Sequence, residues 1–433
     1  MTPAAPRATG WSVPLVVALV AVFLLGIVIR VALWPTQGLR GDIDQFVVWA
    51  HGIALHGLPN AYDQNLSFGP VMAYVWGVLA AIEPAFRTAT DATDPTIRAL
   101  MKVPASLADL GLAALVAFAL RDRVVWAVTG AAVILLVPAV VDISAWWGQY
   151  ESVYLLSALA AVILATRGHN SWAAALLAVS LMTKPQALPF LFPFAAWFWA
   201  TGGARGFARA AIVGAVTIIA LWIPFLSSGG PINYIHNLAE YQGTIFNILS
   251  LRAWNAWWLL QTAAGGAFIA DDVAFLGPVS LRIVGYGIVA IFEVVIAIAV
   301  LRDPRPRSLI LGLASSTLLA FGFLTSMHER YAYGALIFLL LLLPERRVRW
   351  LTIAFGVVFT ANLLAATPPT PDIGAWFAID GPTGVVGSIA MLAIAAASLW
   401  LLLNPGGAPD VPATPVASDP SPTPPGAPAS AAG

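Results

Sequence analysis

The chain has 433 residues, 60% of them hydrophobic and 10% charged, with 17 Trp and repeated apolar runs of 15 to 24 residues, which describes an all-α polytopic membrane protein. Its 21 basic and 21 acidic residues balance, so nothing in the charge points to nucleic acid, and no stretch between the apolar runs is large enough for a soluble domain. Cysteine is absent, which excludes structural disulfides, thiolate catalysis and cysteine-ligated zinc and is neutral about compartment.

In chain order, hydropathy places the first span at residues 11–34. That run is too long for a signal-peptide core and lacks an obvious small-residue cleavage site, so it reads as a retained span. Gly41-Asp42-Ile43-Asp44 follows at its mouth, and then QFVVWAHGIALHG (45–57), which puts Phe46, Trp49, Ala50 and Ile53 on one helical face with Gln45 and His51 elsewhere. Such a helix lies in the membrane interface. A carboxylate at its entrance could take a proton from an acceptor hydroxyl, its basicity raised by a partly dry setting. The alternative is that Asp44 caps the helix and Asp42 is simply solvated. A metal-binding Asp-x-Asp serving nucleotide sugars fits less well, because those donors are cytoplasmic and the charge pattern puts this motif outside.

Residues 69–83 are apolar but short, and spans follow at 99–120, 124–141 and 151–166. Lys102 and Asp109 lie within the first of these, where an ionised group costs about 2.5 to 3.5 kcal/mol at the bilayer centre. Seven residues apart, they share a helix face at roughly 10 Å of rise, too far for a direct pair, so both are expected to face a polar cavity, unless Lys102 snorkels outward. Trp146-Trp147-Gly148-Gln149-Tyr150-Glu151 combines stacking surfaces, a tight backbone and hydrogen-bonding side chains, as sugar-binding sites do. Interfacial anchoring is the plainer reading of its aromatics.

The run 172–200 is long enough for two spans, broken at Lys184-Pro185, and 207–226 follows. A second ambiguous stretch, 253–270, precedes spans at 281–301, 308–326, 331–344, 348–366 and 384–403. Lys184, followed by Pro185-Gln186, and Arg330, within Met327-His328-Glu329-Arg330-Tyr331, sit at span ends where a cation can hold a lipid-linked phosphate at headgroup level. Taken singly each reads as a snorkelling anchor. With Arg252 and Arg282 they form a cluster on one face. His328 beside Glu329 is half a metal site with no second His at ligand spacing, so no metal is assigned. Residues 404–433 are too poor in large apolar side chains to fold and read as a disordered Pro/Ala-rich cytoplasmic tail, leaving 1–403 as the membrane domain.

Orientation follows from the basic residues of short loops. If 69–83 and 253–270 are interfacial or re-entrant, Arg7, Arg121, Arg123, Arg167, Arg205, Arg209, Arg302, Arg305, Arg307, Arg346, Arg347 and Arg349 all fall inside, 12 of the 21 basic residues. If both stretches cross, five of those move outside. The expectation is therefore about twelve spans with both termini cytoplasmic, in the plasma membrane. Asp42, Asp44, the 142–152 segment, Lys184 and His328-Glu329-Arg330 then share the outer face. Trp254, Trp257 and Trp258 suit an interface in this scheme.

The ordered set of Gly41-Asp42-Ile43-Asp44, Lys102 with Leu107-Ala108-Asp109, Trp147-Gly148-Gln149, Lys184-Pro185-Gln186 and His328-Glu329-Arg330 resembles the GT-C superfamily of membrane glycosyltransferases, with the look of bacterial and GPI-type mannosyltransferase-like members. The resemblance runs from about residue 11 to 366. It implies a GT-C-like fold with interfacial helices in the first outer loop and a polyprenyl-phosphate sugar as donor substrate. It also implies Asp42 as catalytic base, Asp44 as the accompanying acid, and His328 and Arg330 near the donor's sugar and phosphate. Many relatives carry Asp after Trp-Gly-Gln, whereas here Tyr150 intervenes before Glu151, which leaves the role of Glu151 open.

The expected activity is an inverting transfer of a hexose, mannose favoured over a pentose, to a glycolipid, glycan or protein acceptor, with no cofactor. Asp42 and Asp44 are the catalytic candidates, and Lys102, Asp109, Trp147, Gln149, Glu151, Lys184, Gln186, Arg252, His328, Glu329 and Arg330 the donor- or substrate-binding ones. A flippase or transporter of lipid-linked sugars is the rival. It predicts paired broken helices and internal symmetry, and no sequence repeat is visible. A scaffold subunit would leave the gathered acids and cations unexplained.

Overall fold

The structure is a computed structural model and describes residues 11–405. Arg7 and the tail from residue 406 onward lie outside the described residues. Helices carry most of the described residues: α1 (Val13–Leu33), α2 (Arg40–His56), α3 (Pro70–Ile82), α4 (Pro95–Ala119), α5 (Val124–Leu136), α6 (Pro138–Val141), α7 (Glu151–Ala165), α8 (Asn170–Leu181) and α9 (Leu191–Trp222). There follow α10 (Gly230–Thr244), α11 (Ala256–Ala263), α12 (Leu281–Arg302), α13 (Pro306–Phe323), α14 (Tyr333–Leu340), α15 (Arg346–Ala366), α16 (Pro371–Trp376) and α17 (Gly381–Leu403).

Seven of these helical stretches are long and apolar enough to cross a membrane, and eight if α5 and the bent Pro138–Trp147 segment form one broken span. The protein is thus an all-α, multi-pass membrane protein, and the finer count of twelve is not reached by length. The reason is physical: α7, α8 and α14 rise only about 12 to 23 Å against a hydrocarbon core of about 30 Å, and the long stretch Pro185–Ser228, counted once, holds two helical arms of α9 that meet at a kink where Gly203 leaves helical backbone at φ 59°. The α3 segment, 13 residues, is likewise too short to cross. The break at Lys184-Pro185 is present, with Pro185 opening a 3₁₀ segment to Phe190 before α9.

Two local expectations change. Gly41 to Asp44 is not a loop before the helix, because α2 already begins at Arg40 and places Asp42 in its first turn, and Leu39 rather than Asp44 stands at the cap position. Trp254, Trp257 and Trp258 are buried at 2, 6 and 4% exposure, packed inside the protein around the short α11 rather than laid in an interface. The face read from spacing on α2 is buried as a set: Phe46, Trp49, Ala50 and Ile53 join Phe68, Trp76 and Tyr150 in one aromatic core.

Two short ladders complete the fold. β1 (Ser250–Leu251) pairs in parallel with β4 (Met327–His328), and β2 (Ala274–Leu276) pairs antiparallel with β3 (Val279–Ser280). Arg252 and Ser326, which flank the first ladder, both adopt left-handed backbone at φ 62° and 60°. Strain of this kind persists only where the surroundings over-determine it.

Candidate functional site

The site is assembled around two chain reversals. The first joins α1 to α2. Lys102 of α4 is wholly buried, and its ammonium donates to the carbonyl oxygens of Thr36 at 2.7 Å and Leu33 at 3.3 Å, with Thr36 Oγ1 also at 3.3 Å. One turn earlier, Arg98 donates to Pro35 O from Nε at 2.9 Å and Nη2 at 2.6 Å. These cations supply donors to carbonyls that the end of α1 leaves without helical partners. Lys102 does not face a polar cavity.

The second reversal is the π-helical turn Asp142–Trp147, which closes on Gly148 at φ 91°. The amides of Gly148 and Gln149 both donate to Ile143 O, at 3.1 and 2.8 Å. Only glycine fits at two positions here: Gly148, which is left-handed and lies against the Lys102 stem, and Gly38, whose added Cβ would come within 2.1 Å of Trp146 O. The crossing of these two loops brings the start of α2 against the Trp-Gly-Gln turn.

Asp42 Oδ2 consequently accepts hydrogen bonds from Trp147 Nε1 at 3.1 Å and Gln149 Nε2 at 2.6 Å, across more than 100 residues of chain. Arg330 Nη2 lies 3.9 Å from the same oxygen. The Asp42 side chain remains 41% exposed, so it is both held and reachable. Tyr150 points the other way, its hydroxyl donating to Met101 O at 2.8 Å inside the aromatic core. Tyr150 thus anchors the turn, and Glu151 follows it as the first residue of α7.

Glu151 is fully buried. Its Oε1 accepts from Lys184 Nζ at 2.5 Å and Arg330 Nε at 3.1 Å, while Oε2 has no protein partner among the described residues. Arg330 also donates from Nη1 to Glu329 Oε1 at 3.2 Å, and its guanidinium lies 4.4 Å over the Trp147 ring. Lys184 sits between two ring faces, 5.3 Å from Phe68 and 5.4 Å from Tyr331. This is a compact unit of three carboxylates and two cations with aromatic walls.

His328 is carried by β4 and packs edge-on against Phe246 and Tyr331, with Nδ1 3.8 Å from Glu329 Oε2. Burial, then the charge of Arg330, pushes the imidazole below its ordinary range, and Glu329 opposes this only in part. Glu329 is driven upward by burial, but His328 and Arg330 outweigh that and hold it below the usual carboxylate range.

Other candidates stand apart from this unit. Asp44 binds Arg40 at 2.9 Å and accepts from the Ala92 amide at 2.8 Å, pinning the 88–94 turn to α2. Asp109 is fully buried and pairs with Arg30 at 2.7 Å, with Ser144 and Ser152 donating to its two oxygens, so it neither faces a cavity nor meets the Asp42 group. The Gln186 side-chain carbonyl is buried without a protein partner among the described residues. Arg252 is exposed and donates to Ala366 O at 2.9 Å, although its backbone bridges to His328. Arg282 is engaged by Asp271 at 2.5 Å.

Sequence reasoning missed Arg30, a cation inside the first apolar run whose cost in lipid was itself the signal. It also missed Phe68 and Tyr331, which carry no pattern that marks them as walls of a site. Among the described residues no cluster of three or more His, Asp or Glu is placed to hold a metal ion. No family model matches the chain, and no curated protein matches it.

Proposed function

We propose that the protein is an inverting glycosyltransferase of the GT-C type that moves a hexose, mannose favoured, from a polyprenyl-phosphate donor to a glycolipid, glycan or protein acceptor. In this reading the chain has about twelve passes, with α7, α8, α14 and both arms of α9 crossing and α3 interfacial, and both termini are cytoplasmic in the plasma membrane, so the site opens outward. The observation that carries it is the juxtaposition of a held, reachable carboxylate with a buried cation pair: Asp42 Oδ2 to Arg330 Nη2 is 3.9 Å, and Lys184 shares Glu151 with Arg330.

The chemistry needs both halves. The acceptor oxygen attacks the anomeric carbon from the face opposite the phosphate, the bond from carbon to the phosphate oxygen breaks, and the hydroxyl proton passes to Asp42. Trp147 and Gln149 fix the orientation of that carboxylate, leaving its other oxygen to receive the proton. Arg330, with Lys184 behind it, stabilises the charge that grows on the departing lipid phosphate. Trp147, stacked on Arg330, offers a wall for the sugar ring. Asp44, Lys102 and Asp109 act through structure: the first fixes the 88–94 turn, the second the α1–α2 link, and the third ties α4 to α1 through the Arg30 side chain.

The test is incubation of purified protein with polyprenyl-phosphate sugars of different hexoses and pentoses, with and without a glycolipid acceptor, followed by mass spectrometry. Release of free polyprenyl phosphate with a glycosylated or hydrolysed product supports transfer. Intact donor that only changes leaflet in proteoliposomes would favour the flippase reading instead.

A further inference from the structure

The β2–β3 hairpin is unlike the other connections in the molecule. Residues 273–281, VAFLGPVSL, carry no charge, and Phe275 and Leu276 at its turn are 66 and 73% exposed. Exposure of this kind in a loose loop would mean little, but this segment is locked. Leu281 N donates to Val273 O at 3.0 Å, Arg282 N to Asp271 O at 2.8 Å, and the Arg282 guanidinium grips the Asp271 carboxylate from Nε at 2.9 Å. The two large apolar side chains are therefore held out by a built scaffold.

What covers them follows from what comes next. The hairpin leads without a linker into α12, whose exposed Ile283, Tyr286, Ile291 and Val294 form the side of a helix long and apolar enough to cross a membrane, and both strands lean on its first turns. The apolar patch is thus continuous with a bilayer-facing surface. At the tip, Gly277-Pro278 includes a residue with no amide hydrogen, which lessens the cost of taking backbone out of water. We infer that the β2–β3 hairpin inserts Phe275 and Leu276 into the lipid headgroup–acyl boundary at the N-terminal end of α12, a second membrane contact besides the spans.

The consequence reaches the site. Asp271 also accepts from Thr325 Oγ1 at 2.6 Å, and Asn247 donates to Asp272 at 3.0 Å, so the base of the hairpin is tied to the segments that lead into both strands of the ladder that presents His328. A hairpin seated in lipid would set the depth of that ladder relative to the headgroups. This inference does not depend on the transferase reading.

The natural chain has no cysteine, so Leu276→Cys, Ile291→Cys and Thr90→Cys can each carry a single nitroxide in phosphatidylcholine–phosphatidylglycerol vesicles. Ile291 reports the lipid face of α12, and Thr90 an exposed polar turn. The label at 276 should be relaxed by oxygen and spared by a water-soluble nickel chelate, as at 291 and opposite to 90. Chelate access equal to that at 90 would overturn the inference, as would shielding from both reagents, which would mean that protein covers the patch. If Leu276→Cys folds poorly, Phe275→Cys gives the same reading.

Discussion

Lys184 and Glu151 form a buried ion pair, Nζ to Oε1 2.5 Å, between the break that precedes α9 and the first residue of α7. Arg330 shares the same oxygen from a third part of the chain. One carboxylate therefore holds two cations that would otherwise repel, in a place where both are largely withdrawn from water. Removing one partner of a buried pair leaves an uncompensated charge, which typically costs about 3 to 5 kcal/mol.

Glu151→Leu should for that reason lower the thermal midpoint sharply in detergent, and Glu151→Leu with Lys184→Met should recover part of the loss. Size-exclusion profiles after a temperature series measure both. Equal midpoints for wild type and the single variant would mean that the pair contributes nothing to holding the site together.

A different outcome is expected for Asp109, whose partners Arg30, Ser144 and Ser152 lie inside the membrane bundle. Asp109→Ala strands Arg30 and should destabilise by about 3 to 5 kcal/mol. Asp109→Asn, which keeps shape and two hydrogen-bonding groups, should bind polyprenyl-phosphate sugar as the parent does. A well-folded Asp109→Asn protein with tenfold weaker binding would return this residue to the donor site.

The contrast between these two acids shows what the sequence could reveal. Composition and apolar runs were enough for a multi-pass helical bundle, and the spacing of Phe46, Trp49, Ala50 and Ile53 was enough for the buried face of α2. Asp42, Trp147, Gln149, Glu151, Lys184 and Arg330 carry chemistry in their residue types, and the fold gathers them. Lys102 and Asp109 look alike in sequence, ionisable groups in one span, yet they are absorbed by backbone carbonyls and by Arg30. Partners from distant segments decided that, and no local spacing encodes them. The number of passes was equally hidden, because hydropathy does not register where an apolar run stops being helix, as at 182–184.

His328 gives the pH dependence. Burial and Arg330 keep its imidazole below the ordinary range, so it is neutral at neutral pH and gains a proton only under more acidic conditions. A proton there adds positive charge beside the cation pair. Affinity for a phosphodiester donor should therefore be flat through neutral pH and rise only below the usual imidazole range, and His328→Gln should abolish the rise. Titration of lipid-phosphate binding against pH checks this, and a rise centred at ordinary imidazole values would contradict the burial argument.

The central claim is that Asp42 takes the acceptor's proton beside a phosphate held by Arg330. Removal of a general base costs about 10² to 10⁴ in rate while ground-state binding survives. The direct measurement is single-turnover transfer by Asp42→Asn, a variant that keeps an oxygen able to accept from Trp147 and Gln149, run beside donor affinity on the same preparation. The account predicts a loss of at least a hundredfold in transfer with donor affinity within a few-fold of the parent. Transfer near the parental rate by well-folded Asp42→Asn protein would contradict it and leave Asp42 as a solvated residue of the first helical turn.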